Sequence, residues 1–255
     1  MLLAVDIGNT QTHVGLFEAG EELADSWRLA TNATTTSDEI GIKLVDMLSA
    51  AGYDPTAASG VIVSTVVPQL ATAYERMAAR YLKAPILLVG TDLKSGMAIR
   101  IDNPRELGSD RLVNAIAAYD RFGSACVSVD FGTSINFDAV SDEGEYLGGA
   151  IAPGLEISMQ ALVGRTAKLP RIDLADPGRA IGKGTIEAIK SGFVYGFAGL
   201  MDGLAGRMQE ELGGDVSFIA TGGQAGLIVP YCERIDAIDD HLTLTGLRLV
   251  WERNQ

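Results

Sequence analysis

Val5-Asp6-Ile7-Gly8-Asn9-Thr10 decides how the fold is read, because it recurs as Val129-Asp130-Phe131-Gly132-Thr133-Ser134. Each copy follows a short apolar run, Leu2 to Val5 and Cys126 to Val129, and each leads into alternating residues, His13 to Phe17 and Ile135 to Val140. The pattern predicts strand, tight turn, strand, with an aspartate closing the first strand and a glycine in the turn. Glycine lets the backbone approach a ligand closely, and the neighbouring Asn, Thr and Ser groups add donors beside exposed amides. An aspartate on such a loop does not bind phosphate, but it can hold the metal ion that accompanies one. We therefore expect two phosphate loops facing each other across a cleft. One Asp-x-Gly-Thr turn alone could serve a hairpin for structural reasons. A third glycine turn, Gly222-Gly223 after the strand Val216 to Ala220, adds weight to the ligand reading. It suits the purine and ribose end of a nucleotide, or is a plain strand-to-helix connection.

The composition bounds the alternatives. A chain of 255 residues can form one large domain or two of roughly 120 that each bury a core. A net charge of −13 argues against general affinity for nucleic acid or an anionic membrane, while leaving a local phosphate site open. Cys126 and Cys232 lie in apolar segments without metal-ligand spacing and read as buried free thiols in a reducing cytosol. No apolar run approaches the ~18 residues of a membrane span. The N-terminus enters a strand directly, without a basic region or cleavage site, so a soluble cytoplasmic protein is expected.

Taken in order, the first hairpin is followed by a turn at Glu18 to Glu22 and a third strand near Ser26 to Leu29. Ser37 is expected to cap a helix carrying Ile40, Leu44, Val45 and Leu48, and Gly52 to end it. Gly60 to Val67 reads as a buried strand stopped by Pro68, with a helix to about Leu82 and a short strand at Ile86 to Val89. Met97 to Ile101 reads as an edge strand broken by Asn103-Pro104. Gly108-Ser109-Asp110-Arg111 then opens a helix, with Ser109 as its cap. On local sequence Asp110 reads as a surface carboxylate complementing the helix dipole. After the second hairpin come a strand from Tyr146, a helix from Pro153-Gly154 to about Leu162, and an irregular stretch, Lys168 to Gly184, long enough to be functional. A long helix begins at Gly184-Thr185, and an amphipathic one spans Leu244 to Trp251. The alternation implies an α/β layered fold with a mostly parallel sheet.

Gly192, Gly196, Gly199, Gly203 and Gly206 form one stripe along the long helix. Each costs about 1 kcal/mol relative to alanine, so the face is expected to pack closely on the sheet, a neighbouring helix or a second subunit. Several chemistries are unsupported. The Rossmann and Walker fingerprints are absent, and the two histidines, His13 and His241, neighbour no plausible nucleophile and leave a zinc site improbable. His13 reads as a half-exposed strand residue or as a nucleotide contact.

The ordered motifs Asp6-Ile-Gly-Asn-Thr, Asn103-Pro-Arg-Glu-Leu-Gly-Ser-Asp-Arg, Asp130-Phe-Gly-Thr, Gly148-Gly-Ala-Ile-Ala-Pro-Gly, Ala167-Lys-Leu-Pro, Ile181-Gly-Lys, Ala220-Thr-Gly-Gly and Leu242-Thr-Leu-Thr-Gly-Leu-Arg span nearly the whole chain. In this the sequence resembles the type III pantothenate kinase family, of the acetate and sugar kinase, Hsp70 and actin superfamily. The resemblance implies two similar actin-like (ribonuclease H-like) α/β domains with an active-site cleft between them. They would cover 1–122 and 123–255, the C-terminal helix being able to pack back on the first. It implies ATP-dependent phosphorylation of pantothenate on its 4′-hydroxyl, the first step of coenzyme A biosynthesis. Asp6 would orient the Mg2+ that comes with ATP, and Ile7, Gly8, Asn9, Thr10, Gln11, Thr12 and His13 would surround its phosphates, with Thr133 also touching ATP. Gly108, Ser109, Asp110 and Arg111 would hold pantothenate, Arg111 pairing its carboxylate and Asp110 serving as general base. Asp130 would bind a monovalent cation, K+ or NH4+. Thr185 would contact pantothenate in a homodimer.

Three features depart from the family pattern: Ser109 in place of alanine, Ile101 in place of an aromatic that would stack on the acceptor, and Ser134-Ile135-Asn136. The rival readings are a non-catalytic nucleotide-binding regulator of the same fold, and a kinase of the superfamily acting on another hydroxylated small molecule.

Overall fold

Both copies of the repeated motif form hairpins in the computed structural model, which describes residues 1–18, 22–90, 93–165 and 172–255. Most of the expected turn at Glu18 to Glu22, and the Ala167-Lys-Leu-Pro motif, lie outside the described residues. The chain divides into two compact units. Unit 1 comprises Met1–Gly96, Asn103–Ala117 and Thr243–Gln255; unit 2 comprises Met97–Asp102 and Ala118–Leu242. The units are therefore interleaved in sequence and differ from a single cut after residue 122.

In unit 1, β1 (Leu2–Ile7), β2 (Gln11–Phe17) and β3 (Leu23–Ala30) form an antiparallel meander, and β4 (Gly60–Thr65) and β5 (Ile86–Leu88) add parallel strands in the order β3-β2-β1-β4-β5. One face packs Leu3, Val5, Ile7, Val14, Leu16, Val61 and Val63 against helices α1 (Ser37–Ala50) and α2 (Pro68–Met77). Helix α1 is capped by Thr36, not Ser37. The Thr36 Oγ1 accepts from the Glu39 amide while the Glu39 carboxylate accepts from the Thr36 amide, so two of the first turn's free donors are satisfied reciprocally.

The sheet of unit 2 repeats that order. Strands β7 (Cys126–Phe131), β8 (Ser134–Val140) and β9 (Glu145–Pro153) form the meander, and β10 (Ser217–Thr221) and β11 (Ala237–Ile238) lie parallel beyond β7. A sixth strand, β6 (Ala98–Ile99), pairs parallel with β9, so the expected edge strand belongs to the second sheet. Each sheet is mixed rather than mostly parallel: a hairpin meander is antiparallel by construction, and only strands reached by a crossover run parallel.

Helices α4 (Leu155–Gly164), α5 (Thr185–Leu212) and the short α6 (Ala225–Ile228) contribute to the core of unit 2. Helix α5 buries Val194, Ala198, Met201 and Ala205, whereas Gly192, Gly196, Gly199 and Gly203 lie exposed. A Cβ placed on any of those four glycines would meet no described atom within 4 Å; one on Gly206 would meet the Arg234 guanidinium. The close packing expected of the stripe is thus not supplied by the described residues.

The second face of the unit 1 sheet is covered by α3 (Ser109–Phe122), of which Ser109–Ala117 belong to this unit, and by α7 (Leu242–Glu252). Glycines make the close approach possible. A Cβ on Gly60 would stand 2.1 Å from the Trp251 ring, and one on Gly246 2.0 Å from the Val113 carbonyl oxygen. Among the described residues, no helix is long and apolar enough to cross a membrane.

Candidate active site

Asp6 ends β1. The alternate residues Leu3, Val5 and Ile7 face the α1/α2 core, so Asp6 points to the other side of the sheet. Its register neighbours are His13 on β2 and Ser64 on β4, which share that face. The turn beyond it is closed by Gly8 N donating to Gln11 O at 3.0 Å, and anchored to the end of β3 by Thr31 N donating to Thr10 O at 2.9 Å. The Thr12 and Thr31 hydroxyls share a hydrogen bond of 2.8 Å. Asn9, Thr10 and Gln11 are exposed, but Thr12 and His13 are buried, so His13 is not the half-exposed strand residue expected. Burial pushes the neighbouring Tyr74 hydroxyl up to about 12, against the opposing effect of its hydrogen bond with Thr12.

The acceptor segment approaches the same face of the same unit. Asn103 caps a single turn at Pro104–Glu106, and the chain then enters α3. Leu112 N donates to Gly108 O at 3.1 Å, the first such bond of the helix, so Gly108 holds the cap position expected of Ser109. The Ser109 hydroxyl instead shares a 2.9 Å hydrogen bond with Ser64, the residue beside Asp6 in the sheet. The Asp110 carboxylate folds back over Gly108, where a Cβ would stand 2.5 Å from Asp110 Oδ1. The structure thus brings Asp6, Ser109 and Asp110 to one face of one sheet. Arg111 follows half-buried in the first turn.

Unit 2 repeats the acidic strand end with a tighter turn. In the first hairpin Ile7 pairs with Thr12, whereas in the second Phe131 pairs with Ile135, one residue fewer between them. Asn136 therefore stands opposite Asp130 as His13 stands opposite Asp6. Thr133 is exposed, and its carbonyl accepts from Gly154 N at 3.1 Å. The third glycine turn closes on the second hairpin: Gly222 has φ +93°, and a Cβ there would stand 2.6 Å from the Phe131 carbonyl oxygen and 2.7 Å from Asp130 Oδ1. Those two oxygens converge on space that a side chain would fill, a donor set that suits a hard cation. Beside Gln224, a cavity of about 320 Å³ is walled by Leu155, Met159, Leu174 and Leu227 together with the acidic Glu156 and Asp173.

Among the described residues, no group of three or more His, Cys, Asp or Glu side chains could hold a metal ion. Thr185 is exposed as the first residue of α5, and Ile101 lies in unit 2 against Gly148. Ser64 and Thr31 are site neighbours that sequence reasoning missed, whereas Asn136 falls in the Ser134-Ile135-Asn136 segment it had marked. Ser64 carried a signal, a polar residue interrupting the apolar run Val61-Ile62-Val63.

The family model for type III pantothenate kinase matches residues 2–207. The chain belongs to the type III pantothenate kinase family. A type III pantothenate kinase of Anaeromyxobacter sp. (strain Fw109-5) is 50% identical over 255 residues, covering 100% of both chains. Another, of Myxococcus xanthus (strain DK1622), is 47% identical over 100% of this chain and 99% of its own. Among solved structures, a protein described as a Baf family transcriptional activator of Campylobacter jejuni superposes with a TM-score of 0.61 at 17% identity, covering 99% of this chain and 98% of that one. The polyphosphate/ATP-glucomannokinase of Arthrobacter sp. strain KM gives 0.52 at 17% identity, covering 99% and 97%. At those identities the likeness speaks for the fold alone: two mixed α/β units of the actin-like fold.

Proposed function

We infer that this chain is a pantothenate kinase, transferring the terminal phosphoryl group of ATP to pantothenate in coenzyme A biosynthesis. The observation that carries this is the family match over residues 2–207, with 50% identity along the full chain to a type III pantothenate kinase. ATP with Mg2+ follows from membership of a kinase family. The finer roles are our own assignment.

In that assignment the turn from Gly8 to His13 cradles the phosphates, and Asp6 steadies the magnesium that comes with them. Arg111 pairs the pantothenate carboxylate through its forked guanidinium. Asp110 takes the proton of the 4′-hydroxyl. An ordinary carboxylate is a weak base towards an alcohol, so this transfer comes late, as the bond to phosphorus forms. Positioning does most of the work in phosphoryl transfer, where little covalent chemistry falls to the protein. Asp130 and the Phe131 carbonyl hold a monovalent cation, K+ or NH4+. When bound, the two cations supply positive charge to the oxygens that gain negative charge in the transition state. The cavity beside Gln224 takes the purine end of ATP, its leucines and Met159 facing the base. Thr185 contacts pantothenate, and the exposed glycine face of α5 supports a homodimer. The enzyme works in the cytoplasm, where Cys126 and Cys232, both unpaired, stay reduced.

The test is a coupled assay of ADP release with pantothenate, with other hydroxylated small acids and sugars, and with no acceptor, each with and without K+. Turnover confined to pantothenate and dependent on K+ is expected. Turnover with a sugar in its place would make this a kinase of another substrate, and ATP binding without turnover would make it a regulator.

A further inference from the structure

We propose that, granted the roles of Asp6 and Asp110 given above, Ser64 is a positioning residue for the reaction: through Ser109, its hydroxyl fixes the start of α3 against the strand end that carries Asp6. Ser64 is fully buried, following Val61, Ile62 and Val63, which are also fully buried. A hydroxyl at such a depth costs free energy unless it is partnered, so packing alone would favour alanine or valine there. Its partner is the Ser109 hydroxyl, 2.9 Å away and 45 residues further along the chain.

The turn that leads into this bond is shaped by bonds within itself. Asn103, Pro104, Arg105 and Glu106 are exposed, and the bonds Glu106 N to Asn103 O and Leu107 N to Pro104 O are local to the turn. Local bonds shape the turn but do not fix its place on the sheet. The hydroxyl pair does, one residue before Asp110 and in register with Asp6. Because the Asp110 carboxylate lies back over Gly108, a shift of this first turn moves the carboxylate with it. Misplacement of a reacting group by an ångström can cost on the order of 10²-fold in rate, so a single well-placed bond is enough to matter.

Steady-state kinetics of Ser64→Ala, Ser109→Ala, the double variant and Ser64→Thr test this, with pantothenate and ATP varied separately and thermal midpoints measured alongside. Each alanine variant should lose about three- to ten-fold in kcat/KM for pantothenate, the worth of one neutral hydrogen bond. KM for ATP should not change, the double variant should be no worse than either single one, and Ser64→Thr should keep most of the activity. Ser109 is only half-buried, so its alanine variant keeps the readout if Ser64→Ala proves unstable. Unchanged kinetics in Ser109→Ala, additive losses in the double variant, or losses that track the thermal midpoint and raise KM for ATP equally would overturn the proposal. Wild-type turnover with pantothenate tests the assigned reaction separately, whereas the variant-to-wild-type ratios test the tie.

Discussion

Asp130 Oδ1 lies 2.7 Å from the point a Cβ on Gly222 would occupy, so the third glycine turn rests directly on the carboxylate of the second hairpin. The Phe131 carbonyl oxygen, at 2.6 Å from the same point, is backbone and cannot swing aside. With φ at +93°, Gly222→Ala should cost well over about 1 kcal/mol. It should also blunt the response to K+, because the intruding methyl displaces the Asp130 oxygen. Thermal unfolding and a K+ titration of turnover check both halves. A stable variant with a normal K+ response would separate Gly222 from the cation site.

A milder change should act on Asp110. A Cβ on Gly108 would meet Asp110 Oδ1 at 2.5 Å, but that atom is the free end of a side chain and can rotate away. Gly108→Ala should therefore lower the thermal midpoint only slightly, by the poorer cap that alanine makes, while losing turnover in the direction of Asp110→Asn, for which a loss of about 10²–10⁴ is expected. Near-normal turnover in Asp110→Asn would remove that carboxylate from the chemistry.

The exposed glycine face of α5 gives a prediction of mass. If a second copy covers Gly196 and Gly199, Gly199→Leu should shift the protein from dimer to monomer in light scattering, at a midpoint lowered with concentration. If nothing covers it, Gly199→Ala should simply stabilise the helix by about 1 kcal/mol, with mass unchanged.

Burial raises the Cys126 thiol from an ordinary value of 9.0 to about 12. The folded chain therefore holds this proton more tightly than the unfolded one. Its contribution is complete below pH 9 and is lost as pH rises towards 12. Urea midpoints should fall between pH 8 and pH 10.5, less so in Cys126→Ala. At pH 8 a thiol reagent should leave Cys126 untouched until denaturant is added.

The hairpins were legible because their signals are local: alternation, a glycine turn and an aspartate at the same place in both copies. Asp6, Asp130 and the Gly222 turn could be picked out on that basis. What the sequence concealed depends on distant partners. Ser109 has the chemistry of a cap, but a buried hydroxyl on β4 competes for it and Gly108 takes the position. Thr36 rather than Ser37 caps α1 because Glu39 stands three residues after Thr36, which completes the reciprocal pair. Residues 98–99 look like part of the first half, yet their hydrogen bonds go to β9. The glycine stripe was read correctly as one face, but spacing alone does not say what, if anything, covers that face.

The cover that α7 lays over Gly15 and Gly60 has a consequence for biosynthesis. On the ribosome all five strands of unit 1 emerge long before Leu244 and Trp251 do. The nascent sheet must therefore wait, that side covered only by α3, while most of unit 2 is translated. In that interval the uncovered glycine-lined surface is open to mispairing, and a chain ending before residue 243 should be more readily proteolysed than the whole one.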